Sequence, residues 1–146
     1  MVGGLLALMV ASIFTGAAVY VNFAEQPARL MLDDRALLAE WKPSYKRGFA
    51  MQAPLALIGF ALGLMAWWQT SHPTFLIGAI AMIAPWPWTI FGIKPTNDAL
   101  LATELDQAGP QSRALIVRWG GLHAVRTALG AIAAVAFLWA SMSAKS

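Results

Sequence analysis

Four long apolar segments dominate the pattern of hydrophobic and polar positions along the chain. They cover residues 2–23, 49–70, 73–93 and 115–142, with only the last holding charged residues well inside it. A helix needs about 20 mostly apolar residues to cross the hydrocarbon core of a bilayer, so each segment is long enough. Backbone groups in lipid must be satisfied within the protein, which favours helices. The pattern predicts an all-α, four-helix transmembrane bundle formed by residues 1–146 as one membrane domain.

The connection between the first two segments has helical patterning of its own. Within residues 28–42, one helical face carries the apolar residues Leu30, Leu37, Leu38 and Trp41. Asp34 falls on the same face, either at a solvated edge or as the buried partner of an arginine. We therefore expect a short amphipathic helix at the membrane surface.

The other two connections differ in length. A tight turn joins the second and third segments, and Pro73 suits the first position of the helix that follows. The connection after the third segment predicts a short helix over residues 97–107, which Thr96 or Asn97 is suited to cap. Alternatively, Asn97 has a functional role and its amide points into a cavity of the bundle.

Composition agrees with a membrane protein. The 146 residues include only ten Lys/Arg and seven Asp/Glu, or 12% charged, against about a quarter in soluble domains. Hydrophobic residues make up 59% of the chain, and the mean hydropathy is +0.62. Too few polar residues remain to cover a soluble domain, which excludes disorder and nucleic-acid partners and counts strongly against a soluble enzyme. Cysteine is absent, which excludes disulfides and thiolate chemistry.

The lysines and arginines predict the orientation. The two long connections and the beginning of the fourth segment carry eight of them: Arg29, Arg35, Lys42, Lys46, Arg47, Lys94, Arg113 and Arg118. Lys145 alone lies on the other side. The positive-inside rule places both long connections in the cytoplasm and both termini outside it, as expected for a protein of the bacterial inner membrane.

The fourth segment holds the most informative cluster. Trp119, His123 and Arg126 are spaced i, i+4 and i+7, which stacks them on one helical face. An arginine inside a bilayer costs at least about 2.5–3.5 kcal/mol unless it is paired or hydrated. The shared face indicates a polar cavity within the bundle. Taken singly, Arg126 is equally explained by snorkelling to the interface, and His123 by an interfacial position.

The third segment carries a further signal. Pro85 and Pro87 remove backbone donors, and such breaks are tolerated where protein or water satisfies the freed carbonyls. This part of the third segment is either a simple kink, with Trp88 in an aromatic belt, or part of the wall of a cavity. Tyr20 and Arg47 have similar alternatives, as a belt residue and a positive-inside anchor.

The two histidines, His72 and His123, lie toward opposite ends of the predicted bundle, which excludes a bis-histidine haem or metal site. No HExxH or paired-carboxylate motif is present either. The sequence therefore predicts neither a metal nor a cofactor.

The ordered set of these residues resembles the anthrone oxygenase-like family of four-helix membrane proteins. The matching elements are Gly16 with Tyr20, then Pro27-Ala28-Arg29, then Trp41, Tyr45 and Arg47, then Thr89, Pro95-Thr96-Asn97 and Asp98-Ala99-Leu100, and finally Trp119, His123 and Arg126. They extend over nearly the whole chain.

The resemblance implies a cofactor-independent oxygenase that acts on a small, flat, lipophilic aromatic such as an anthrone or hydroquinone. It implies His123 as general base, with Arg126 and Asn97 stabilising an oxyanion. The substrate, arriving from the bilayer, would contact Tyr20, Trp41, Arg47, Trp88, Thr89 and Trp119.

The residues leave a second function open. The same polar cluster suits a non-catalytic membrane subunit, or a scaffold that binds a lipid or quinone, and association into a homo-oligomer or a larger membrane complex is compatible with either function. A transporter is the least favoured, because four helices with one intramembrane cation offer little of a pathway.

Overall fold

The computed structural model describes residues 2–143, so Lys145 lies outside the described residues. Four helical rods are long and apolar enough to cross a membrane: Val2–Arg29, Asp34–Thr70, Pro73–Ala102 and Pro110–Ser143. No strand occurs among the described residues. These findings confirm the predicted all-α bundle with four membrane-spanning helices.

Short irregular turns interrupt two of the rods. The first rod consists of α1 (Val2–Tyr20), a π-helical turn (Val21–Glu25) and α2 (Gln26–Arg29). The second is the unbroken α3 (Asp34–Thr70). The third consists of α4 (Pro73–Ile83), α5 (Pro85–Trp88), a second π-helical turn (Thr89–Ile93) and α6 (Lys94–Ala102). A 3₁₀ turn (Leu105–Gln107) leads to the fourth rod, α7 (Pro110–Ser143).

Helices α1 and α4 each pack against both α3 and α7, so the four helices enclose a common interior. Two apolar clusters fill its ends. The cluster near the chain termini is rich in small residues and includes Ala7, Phe14, Ala66, Phe75, Met82 and Phe137. The cluster near the two long connections consists of Leu37, Leu38, Trp41, Ile93, Leu100, Ile116 and Trp119. Polar side chains occupy the space between them.

The predicted amphipathic segment is continuous with the second membrane helix. Asp33 caps α3 by accepting a hydrogen bond from the Ala36 amide at 2.9 Å. The helix then runs through Pro43 into the apolar segment. Leu37, Leu38 and Trp41 are buried in the cluster near the long connections, which stabilises these additional turns. The predicted apolar face is therefore confirmed for Leu37, Leu38 and Trp41, which belong to α3. Leu30 lies in the turn before α3, so the helix predicted over residues 28–42 does not form as one element.

Asp34 has an arginine partner. Its carboxylate accepts a hydrogen bond from Arg113 Nε, and both side chains are about one-third exposed. The same guanidinium donates to the Leu30 carbonyl at 3.0 Å. The pair joins the beginning of α7 to the first connection, and it is half-buried rather than enclosed in the core.

The third rod begins and breaks where its prolines fall. Pro73 occupies the first turn of α4, as expected. The α-helical ladder stops at Ile83 and resumes at Pro85. The capping role expected of Thr96 or Asn97 is wrong, because α6 follows the π turn directly from Lys94 and neither side chain caps it. Both residues are instead buried inside the helix.

Candidate functional site

The predicted polar face of α7 points into the bundle. His123 is 3% exposed and Arg126 is 7% exposed. The ring of Trp119 lies 5.0 Å from the imidazole of His123, centroid to centroid. The helical spacing in the sequence thus places all three side chains on one buried surface.

A cavity of about 380 Å³ adjoins this surface. Every rod contributes to its walls, which include six of the residues predicted to be catalytic or to contact a substrate: Tyr20, Arg47, Asn97, Trp119, His123 and Arg126. Asn97 reaches it from α6, so the three residues proposed to act on a substrate lie around one space although they come from two rods.

Arg126 is held inside the bundle without a counter-charge among the described residues. Its Nη2 donates to Gln52 Oε1 of α3 at 3.3 Å. The guanidinium carbon lies 5.8 Å from the centroid of the Phe14 ring. Snorkelling is therefore the wrong explanation for this residue. A buried cation that lacks an anionic partner is costly, so negative charge that enters or forms in the cavity is favoured.

Asn97 has an unused hydrogen-bonding atom. The side chain is 2% exposed, and its Oδ1 has no hydrogen-bond partner among the described residues. An amide presents either its oxygen or its NH₂ group when it turns about its terminal bond. Asn97 is thus able to accept from a hydroxyl group or to donate to an oxyanion in the cavity.

A second, smaller cavity of about 200 Å³ adjoins the first. Four residues line both cavities: Tyr45, Phe49, Asn97 and Arg126. The remaining wall comes mainly from α3, α5 and the second π turn, including Thr89. Thr89 therefore faces the smaller cavity rather than the one that holds His123.

An ion-pair cluster closes the larger cavity toward the long connections. Arg29 is buried and lies 2.6 Å from Glu25 and 3.0 Å from Glu40. Its guanidinium also lies 5.7 Å from the centroid of the Trp119 ring. Two carboxylates neutralise this cation, so Arg29 differs from Arg126 in having its charge compensated.

The remaining predicted contacts divide into two groups. Tyr20 lies at the rim with 62% of its surface exposed, and Arg47 is also an exposed wall residue. Trp41 and Trp88 line neither of these two cavities. Trp41 stacks on Tyr45 at 5.0 Å between centroids, and Trp88 Nε1 donates to the Leu122 carbonyl at 2.9 Å. Trp41 therefore supports the wall residue Tyr45 from behind, whereas Trp88 bonds to the backbone of a residue that lines neither cavity.

Sequence reasoning missed two side chains that contact the site. Asn22 lies within hydrogen-bond distance of His123, and Gln52 accepts from Arg126. Gln52 was visible as the only strongly polar residue inside the second apolar segment, and isolated polar residues in membrane helices mark functional sites. Their partners lie on another helix, and helical spacing gives no information about such pairs.

Fold and cavity together define an integral membrane protein in which four helices surround a buried polar site. The family model for anthrone oxygenase matches residues 41–136, which is most of the chain. The chain therefore belongs to the anthrone oxygenase family. Neither the curated proteins nor the solved structures include a match to it.

Proposed function

We propose that this protein is a membrane-embedded, cofactor-independent oxygenase of a small lipophilic aromatic such as an anthrone or a hydroquinone. One observation carries the proposal: a histidine, an amide and an uncompensated guanidinium surround the same cavity. Membership of the anthrone oxygenase family supports the type of substrate. The cavity volume of about 380 Å³ lies within the range of about 300–1,000 Å³ found for small-molecule sites.

The proposed reaction begins with proton removal. His123 takes a proton from the acidic CH₂ of an anthrone, and the electron pair moves onto the ring carbonyl to give an enolate. The enolate passes one electron to dioxygen, and the two radicals combine into a carbon-bound peroxide. Protonation of the peroxide, loss of the second hydrogen from that carbon and cleavage of the O–O bond give a ketone and water. In balance, one CH₂ and one O₂ become one C=O and one H₂O.

Charge in the cavity favours the first step. The enolate oxygen is negatively charged and would serve as the anionic partner that Arg126 otherwise lacks. Asn97 supplies an NH group to the same oxygen when its amide turns. Stabilising a charge that appears only during the reaction lowers the barrier without tightening substrate binding equally. Trp119 and Tyr20 offer aromatic surface for a flat ring system.

The site is open to substrate from the bilayer. Exposed wall residues include Tyr20, Phe49 and Met51, all on helices of membrane-spanning length. A lipophilic substrate partitions into lipid, so lateral entry between α1 and α3 avoids passage through water.

The test compares the two histidines of the chain. Membranes containing His123→Ala are assayed for aerobic turnover of an anthrone and for oxygen uptake, with His72→Ala as the matched control. His72 lies in the α3–α4 turn, outside the cavity walls. Loss of a general base typically lowers the rate by about 10²–10⁴-fold. We expect that loss in His123→Ala at normal protein yield, and none in His72→Ala.

Two results would contradict the proposed enzymatic function. One is equal turnover by His123→Ala and wild type. The other is absence of turnover in the wild type together with saturable binding of a quinone or lipid, which would support the non-catalytic scaffold.

A further inference from the structure

Asn22 makes three hydrogen bonds at the end of the first rod. Its Nδ2 donates to the Gly120 carbonyl at 2.9 Å. Its Oδ1 accepts from the Thr127 hydroxyl at 2.7 Å and lies 2.8 Å from Nδ1 of His123. All three partners belong to α7. The amide of Asn22 therefore joins the two helices through both its nitrogen and its oxygen.

These partners determine which terminal atom of the Asn22 amide is the nitrogen and which is the oxygen. A backbone carbonyl only accepts hydrogen bonds, so the group facing Gly120 must be the NH₂. The atom that faces His123 is consequently the amide oxygen, which has no hydrogen to donate. The contact is a hydrogen bond only if Nδ1 of His123 carries the proton.

The local fold makes this contact possible. Asn22 lies in the π-helical turn Val21–Glu25, and Gln26 follows it one turn later. Gln26 Nε2 donates to the Ile116 carbonyl at 2.8 Å, so two successive amides bond to carbonyls one turn apart on α7. This double link fixes the end of the first rod against the helix that carries His123.

We propose that Asn22 is the positioning residue that holds neutral His123 in the tautomer with its proton on Nδ1. In a neutral imidazole the other nitrogen is then an acceptor, so Nε2 is the atom that takes the substrate proton. Nε2 makes no hydrogen bond among the described residues, whereas Nδ1 is occupied. The inference rests on the proposed function for its catalytic meaning, but the tautomer is a property of the resting protein.

An amide suits this task in a membrane interior. It orients the imidazole as the carboxylate of a hydrolytic triad does, but adds no charge to the buried site. Asn22 precedes the region matched by the family model, so the match does not cover this contact.

Nitrogen-15 NMR of histidine-labelled protein reads the tautomer directly. The chain contains two histidines, and a His72→Gln background leaves His123 as the single labelled ring. Above the pH of imidazole protonation, we expect the shifts and couplings of an Nδ1–H, bare-Nε2 ring. In Asn22→Leu the Nε2–H form should rise to a major population. Thr127→Val, which removes another donor to the same oxygen, should leave the Nδ1–H form dominant.

An Nε2–H ring in the otherwise unchanged protein, or an unaltered tautomer in Asn22→Leu, would overturn the proposal. Asn22→Ala serves the same comparison if the leucine variant does not fold. The spectrum of the parent protein shows the His123 tautomer without either variant. Turnover provides the second readout. Loss of the group that orients a metal-bound histidine typically costs about 10–100-fold, and we expect a loss of similar size here, in kcat with KM nearly unchanged. Failure of the proposed function would appear as absent turnover with the Nδ1–H tautomer still present.

Discussion

Gln52 gives Arg126 a hydrogen-bond acceptor without giving it a counter-charge. The two side chains are 2% and 7% exposed, and the amide oxygen is 3.3 Å from the guanidinium nitrogen. At this position a glutamate would form a buried ion pair, and a methionine would leave the guanidinium without the acceptor. The choice of an uncharged acceptor keeps the positive charge of Arg126 available to a ligand.

Replacing Gln52 with glutamate should therefore separate stability from activity. In Gln52→Glu the carboxylate compensates Arg126, so we expect a thermal midpoint in detergent no lower than that of wild type. Anthrone turnover should fall at least tenfold, because the carboxylate then neutralises the buried charge of Arg126 that would stabilise the enolate. Thermal unfolding and oxygen uptake measured on one preparation give both values.

Gln52→Met is the control for this substitution. It removes the hydrogen bond and leaves Arg126 charged, which should destabilise the protein by about 1–3 kcal/mol while preserving more turnover than the glutamate variant. Full turnover in Gln52→Glu would show that the charge of Arg126 plays no part in the reaction.

Side chains on one helix were predictable, and those paired between helices were not. Trp119, His123 and Arg126 follow from the 3.6-residue period of a single helix. The contacts of Asn22 and Gln52 cross from one rod to another, and their positions depend on a π turn and on helix packing. A single sequence contains no information about that pairing.

At the scale of elements, Gly120 permits the first rod to approach α7 closely at Gln26 of α2. A Cβ at this position would lie 2.8 Å from Gln26 Nε2, so the glycine leaves room for the amide that bonds to α7. A Cβ at Gly121 would meet nothing within 4 Å. Of these two adjacent glycines, only Gly120 is closely approached by a neighbouring helix.

These adjacent glycines make a matched pair for mutation. Gly120→Ala should displace Gln26 and lower stability by about 1–3 kcal/mol, as overpacking of a core typically does. Gly121→Ala should be neutral or stabilising by up to about 1 kcal/mol, because alanine favours the helix. Thermal unfolding of both variants in the same detergent tests the difference. Equal midpoints would mean that the contact between Gly120 and Gln26 does not constrain the packing.

Element types were predicted better than element boundaries. The four apolar segments identified the rods because membrane-spanning length requires long apolar runs. The beginning of α3 was hidden, since residues 34–48 carry charges that resemble a surface connection. In the structure these residues belong to α3, because helical hydrogen bonding continues past Pro43. The burial of Trp41 stabilises the additional turns. Each of the two π turns ends two residues before a proline, Pro27 and Pro95, and neither turn was predicted.

At the scale of the whole molecule, cations gather at one end of the bundle. Lys42 at that end donates to the Leu101 and Thr103 carbonyls at 3.2 and 2.6 Å, which joins the beginning of α3 to the end of α6. Arg29 and Arg113 form ion pairs in the same region. Some of the basic residues that predict a cytoplasmic location therefore also hold the two long connections in place.

The orientation can be tested because the chain contains no cysteine. Gln69 in the last turn of α3 and Gln107 in the 3₁₀ turn are both exposed and lie toward opposite ends of the bundle. In intact bacterial cells, a membrane-impermeant maleimide should label Gln69→Cys, whereas Gln107→Cys should react only after the inner membrane is opened. The reverse pattern would overturn the orientation. The result also shows which half of the membrane holds the candidate site, because the cavity adjoins the cluster near the long connections. With Gln107 inside, His123 lies in the cytoplasmic half of the membrane, and the proposed substrate would reach it there.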